Sequence, residues 1–154
     1  WQDTVDWEFV SMDSRLIRKG YTPPIRQFSM ETASGEDVHD FFLQDSGFSF
    51  ILVVRALQKT PDSVWPAVRT IDLWAGKHGI NFIGLSAASP DQTEIFRTEH
   101  KLPFDFLYGD AISLKTMIRS NPGLILLHNG TIIRKWHYHD FPSVELLRQL
   151  TSFP

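Results

Sequence analysis

The sequence predicts an α/β domain, a three-layer α/β/α arrangement with a mixed central sheet, closed by a C-terminal β-hairpin and a helix. Three observations carry this. "FSFILVV" (48–54) is a continuous apolar run containing β-branched residues, the pattern of a strand buried on both faces. Strand-like and helix-like spacings then alternate along the following segments. Finally, Asn129–Gly130 stands between "GLILL" and "TIIRKWHYH", the strongest short-range signal for a hairpin. A βαβ half followed by ββα places parallel and antiparallel strands in one sheet.

Each element has its own justification. Residues 1–19 alternate polar and apolar types around Trp7, Phe9, Val10, Leu16 and Ile17, and read as an N-terminal arm that docks by its aromatics. The domain proper is placed at 20–154. Pro23 and Pro24 break any helix and leave an extended segment through Phe28 and Met30. "TASGEDV" reads as a turn leading into the apolar patch Val38, Phe41, Phe42 and Leu43. After the first strand, Thr60 is placed as an N-cap and Pro61 in the first helical position. Val64, Val68, Ile71 and Ala75 follow at helical spacing, with Trp65 and Trp74 on the core side. Pro66 inside that pattern predicts a kink or a late start.

Gly79 stops the helix, and "INFIGLSA" (80–87) is the next strand. Ser89, Pro90 and Gln92 form a capping-box start for a short helix. "LPFDFLY" (102–108) is short and extended. Asp110 caps a helix whose Ile112, Leu114, Met117 and Ile118 are expected on one buried face. "PSVELLRQL" closes the chain as an amphipathic helix.

Bulk properties bound the function. A chain of 154 residues is the size of one domain with a proper core. A formal net charge of −3 is too mild to argue for nucleic acid or an anionic membrane surface, and no nucleic-acid partner is expected. The cysteine count is zero, which removes disulfides, thiolate nucleophiles and thiolate metal ligands together. It says nothing of the compartment. The longest apolar stretch, Phe50 to Val54, is far short of a membrane span. The opening on Trp1 rather than Met reads as a processed protein or an excised domain.

Two stretches carry a family resemblance. "SNPGLILLHNGTIIRKW" (120–136) is similar to the part of thioredoxins and TlpA-type domains where a cis-proline leads into an "NG" hairpin. "YTPPIRQFSM…GEDV" resembles the Pro-x-Phe-Ser lead-in of TlpA-type and peroxiredoxin-type domains, and "WPAV" lies where their first helix has a Met-Pro-Ala-Leu-like turn. The resemblance covers roughly residues 20–150. A narrower one joins "TMIRSNPGLILLHNGTIIRKWHYHDFP" with "FIGLSAASPDQTEIFRTEHKLPFDF", which look like the soluble tail of some bacterial DoxX-family membrane proteins. It implies an extracytoplasmic location at a bacterial membrane, with a membrane domain in the same full-length chain.

The first resemblance implies a site and also empties it. Thiols in such enzymes sit at a helix N-terminus that stabilises thiolate. Here the corresponding positions are Thr60, Pro61, Asp62 and Ser63, or Gln58 to Pro61 when counted back from Pro66. On either count no thiol is present, and hydroxyls are too weakly acidic to replace one without a dedicated base. Disulfide exchange and thiol peroxidase chemistry are excluded for this chain alone. Capping is the plainer role for Thr60 and Ser63. Beside them the resemblance implies a groove at Asn121 and Pro122, where a partner's extended chain pairs with the backbone.

Other residues offer less. His137 and His139 in "WHYHD", with Asp140, are the weak candidates for a metal, since alternation on a strand puts both imidazoles on one face. They fall short of a full ligand set, so no cofactor is called. Arg55 ends the buried strand, where strand ends meet ligands in open α/β sheets, or where a salt bridge forms. The expectation is a redox-inactive accessory or binding domain with a peptide or protein partner. The alternatives are a non-thiol enzyme holding a metal or small ligand, and a purely structural domain.

Overall fold

A computed structural model describes residues 28–152 of the chain. Within them, five strands form one sheet in the order β3-β2-β1-β4-β5. Strands β1 (Phe48–Val53), β2 (Asn81–Ser86) and β3 (Phe106–Tyr108) run parallel, each joined to the next through a helix. Strands β4 (Gly123–His128) and β5 (Thr131–His137) form the hairpin, and β4 lies antiparallel to β1.

Alternation along β1 builds two cores, one on each face of the sheet. Phe50, Leu52 and Val54 point to one side and Ile51 and Val53 to the other, all at most 1% exposed. Strand β4 repeats the division, with Leu124 and Leu126 in the first core and Ile125 and Leu127 in the second. On the first face, α2 (Trp65–Lys77), α3 (Pro90–Glu99) and α5 (Val144–Thr151) supply Trp65, Val68, Ile71, Trp74, Phe96 and Leu147. On the second, α1 (His39–Gln44) and α4 (Ala111–Met117) supply Phe42 and Leu114. The expected mixed sheet with helices on both faces is what the chain forms.

Several local readings hold for the reasons that predicted them. Ser89 Oγ accepts from Gln92 N–H at 3.4 Å, and the Gln92 side chain accepts from Ser89 N–H at 3.2 Å, closing the capping box of α3. Asp110 Oδ2 accepts from Ser113 N–H at 2.7 Å and starts α4. Asn129 and Gly130 both take positive φ, 49° and 67°, as a primed two-residue hairpin turn requires.

Four readings need correction. The patch Val38–Leu43 contains a helix, α1, which begins without any side-chain cap. Helix α2 starts at Trp65, so Thr60 does not cap it and Pro61 is outside it. The cause is Pro66, which fits the first helical turn because it has no N–H to leave unsatisfied there. Residues 57–59 and 62–64 form two short 3₁₀ turns instead. Ile112 is 77% exposed, so the buried face of α4 is Leu114 and Ile118 with half-buried Met117. The strand β5 stops at His137, and Tyr138–Asp140 is a 3₁₀ turn, so His137 and His139 do not alternate along one strand.

The arm at 1–19, with Trp7, and the proline-rich lead-in through Gln27 lie outside the described residues. Among the described residues no helix is long and apolar enough to cross a membrane.

Candidate functional site

The junction between β1 and α2 meets the loop before β4 at the C-terminal end of β1. Val53 is the register partner of Gly123, so the chain leaving β1 passes directly beside Asn121–Pro122. The Asn121–Pro122 peptide bond is cis. This is the isomer that the resemblance to thioredoxins implies.

Asn121 joins the two segments. Its side-chain Oδ1 accepts from Ala56 N–H at 3.0 Å, and its Nδ2 donates to Ala56 C=O at 2.9 Å. The carboxamide thus pairs with both main-chain polar groups of one residue, as a neighbouring strand would. Nδ2 also lies 3.3 Å from Thr60 Oγ1, which itself donates to Ala56 C=O at 3.2 Å. Backbone bonds from Lys59 N–H to Ala56 C=O and from Thr60 N–H to Leu57 C=O complete the turn. Behind the proline, the Ser120 hydroxyl donates to Pro122 C=O and accepts from Tyr138 N–H. Ser120 and Pro122 are buried, whereas Asn121 and Thr60 are partly open. Among the described residues, neither the main-chain N–H nor the C=O of Asn121 has a backbone partner.

Of the residues singled out from the sequence, the structure therefore brings together Thr60, Asn121 and Pro122. Asp62 and Ser63 are exposed on the second 3₁₀ turn, where Asp62 faces His100 at 3.8 Å, and Pro61 precedes that turn. His100 lies against Trp65 and Phe96, with ring centroids 5.2 and 4.3 Å away. Ala56, which sequence reasoning passed over, is the fulcrum of the junction. Its methyl side chain gives no signal, because its part is played by its backbone.

The arrangement binds backbone rather than activates a nucleophile. The Thr60 hydroxyl is engaged by a carbonyl and a carboxamide, and among the described residues no imidazole, amine or carboxylate is hydrogen-bonded to it. Helix α2 begins beyond Pro61, so its N-terminal dipole is not focused on positions 58–61. Arg55 is half-buried at the strand end and forms no ion pair among the described residues. The imidazoles of His137 and His139 stack with centroids 5.1 Å apart, and His137 Nδ1 accepts from His139 N–H at 3.3 Å. Among the described residues no group of three or more His, Asp or Glu side chains is gathered in a way that could hold a metal ion.

Comparison with solved structures places the fold. StoA from Bacillus subtilis superposes with a TM-score of 0.57 at 16% identity, over 84% of this chain and 99% of that one. A thiol-disulfide oxidoreductase from Bacteroides fragilis gives a TM-score of 0.62 at 16% identity, over 80% and 94%. Peroxiredoxin Q from Xanthomonas campestris gives 0.54 at 13% identity, over 80% and 89%. The fold is thus that of thioredoxin-like proteins of the TlpA and peroxiredoxin types, in a chain that contains no cysteine. No protein-family model matches the chain. No curated protein matches it either.

Proposed function

We propose that this is a thioredoxin-like binding domain without thiol chemistry, which holds an extended segment of a partner protein across Asn121–Pro122. One observation carries the reading. The Asn121 main chain, at the loop where thioredoxin-type domains receive an extended chain, is without a backbone partner among the described residues, in a chain that contains no thiol. An unpaired N–H and C=O at a partly open site are what an added strand engages. The side-chain clamp from Asn121 to Ala56 holds the loop in the shape such pairing needs.

The finer part of the proposal is the setting: the extracytoplasmic region of a DoxX-type membrane protein, with the membrane domain in the same full-length chain. It is supported by the sequence resemblance over 82–106 and 116–142 alone.

Selection of extended peptides from a random library on the full chain tests the binding role, followed by titration of the isotope-labelled protein. The amide resonances of Asn121, Gly123 and residues 56–60 are expected to shift, leaving those of α1 in place. Selection of no peptide, or shifts confined to other faces, would overturn the reading.

A further inference from the structure

Where β5 ends, three rings gather beside the Asn121–Pro122 loop. His137 is the register partner of Gly123, the residue after Pro122. Tyr138 N–H donates to Ser120 Oγ at 3.2 Å, and the same hydroxyl donates to Pro122 C=O. One buried serine thus ties the 3₁₀ turn Tyr138–Asp140 to the loop. The Tyr138 ring lies 4.4 Å from that of His137 and 4.0 Å from that of His139. The two imidazoles are 5.1 Å apart and within 14° of parallel, and both are exposed.

The backbone fixes what His137 presents. Its Nδ1 accepts from His139 N–H at 3.3 Å, so the neutral ring carries its proton on Nε2. Nε2–H is then a donor on a ring that its neighbours hold in place.

Two cations flank the same junction. Arg55 precedes Ala56, which Asn121 clamps, and Arg119 precedes Ser120. Arg55 is half-buried and Arg119 exposed. The adjoining turns contribute two carboxylates, Asp140 and Asp62, and Asp62 faces His100 at 3.8 Å. Among the described residues, cations and N–H donors therefore prevail at this junction, on a chain whose net charge is −3.

We propose that the partner segment held at Asn121 is acidic, and that His137 Nε2–H receives one of its carboxylates, with Arg55 and Arg119 drawing such a segment to the loop. This rests on the binding role of the loop. His137 stands one strand across and two residues along from Asn121. An extended chain rises about 3.4 Å per residue, so the carboxylate belongs within about three residues of the one paired with Asn121.

Peptides selected from a random extended library on the full chain are sequenced. One of them is then titrated in two forms, with its Glu or Asp and with the isosteric Gln or Asn. The expected result is enrichment of acidic residues at one position, and a Kd about tenfold weaker for the neutral form, the scale of one hydrogen bond to a charged group. His137→Phe keeps a ring beside Tyr138 and removes the donor, and is expected to bind the two forms alike. Selection without acidic enrichment overturns the proposal and leaves the binding role standing. A His137→Phe protein that still prefers the acidic form does the same. So does one that binds neither form, because His137 then shapes the loop instead of choosing the acid. Selection of no peptide at all overturns both.

Discussion

Asn121 is the residue on which the candidate site turns. Its carboxamide exchanges two hydrogen bonds with Ala56, 65 positions away in sequence. Truncation leaves the Ala56 amide and carbonyl without that partner, so Asn121→Ala is expected to lower unfolding free energy by about 1–3 kcal/mol. Asn121→Asp retains an acceptor for Ala56 N–H but sets a carboxylate against Ala56 C=O, and is expected to be no better than Ala. Urea denaturation of the three proteins measures this, and wild-type stability in the Ala variant would contradict the clamp.

His39 makes a second prediction at the same scale. Its Nδ1 lies 2.9 Å from Asp37 and its Nε2 lies 3.4 Å from Asp40. The Asp37 carboxylate at this distance raises the His39 pKa above the ordinary imidazole value, outweighing desolvation. The same pairing, with the Met30 N–H, lowers Asp37 below the ordinary carboxylate value. The His39 contribution is fully present below the unfolded imidazole pKa and is lost as pH rises through the raised folded value. The Asp37 contribution is present above the unfolded carboxyl pKa and is lost as pH falls through the lowered one. The lead of wild type over His39→Ala in Tm is therefore expected at about pH 5.5 and should shrink toward about pH 8. A lead that grows with pH would contradict the pairing. Both groups are exposed enough for the effect to be small and salt-sensitive.

Elements whose signals are local were legible, and those set by distant contacts were not. The capping box of α3 lies within four residues, Ser89 to Gln92, and the hairpin turn within two, so both could be read directly. Ser89→Ala is expected to cost about 1 kcal/mol, measured by chemical denaturation, because it removes a cap hydrogen bond and its reciprocal partner. Gly130 combines a φ of 67° with close approach, since an added Cβ would meet the backbone carbonyl of Leu43. Gly130→Ala is expected to destabilise more than Ser89→Ala, and the reverse order would contradict this packing.

Helix α1 was read only as an apolar patch because it is six residues long and has no side-chain cap to announce it. The start of α2 was misplaced because Thr60-Pro61 has the sequence form of a cap. The Thr60 hydroxyl bonds backward to Ala56 instead, and Pro66 permits the later start. Ile112 shows the limit of periodicity, since an apolar residue at helical spacing need not face the core.

At the scale of the whole molecule, the mixed sheet with helices on both faces followed from periodicity and element order, while the site followed from them only in part. Position along the chain identified Pro122 and Thr60. Their closure through Ala56 depends on β1 and β4 being neighbours, which no local pattern encodes. The closed Ala56–Asn121 junction, in a chain without thiols, is the surface proposed to bind a partner.

One measurement bears on that claim most directly. A photo-crosslinking side chain is placed at Thr60, beside Asn121, and at Ile95, which is exposed on α3, in full-length protein expressed in its source cell. Soluble and membrane fractions are then read separately. The account predicts a discrete adduct from position 60 alone, in the membrane fraction, with the crosslink mapping to an extended partner segment. Equal adducts from both positions, or none from position 60, would contradict it.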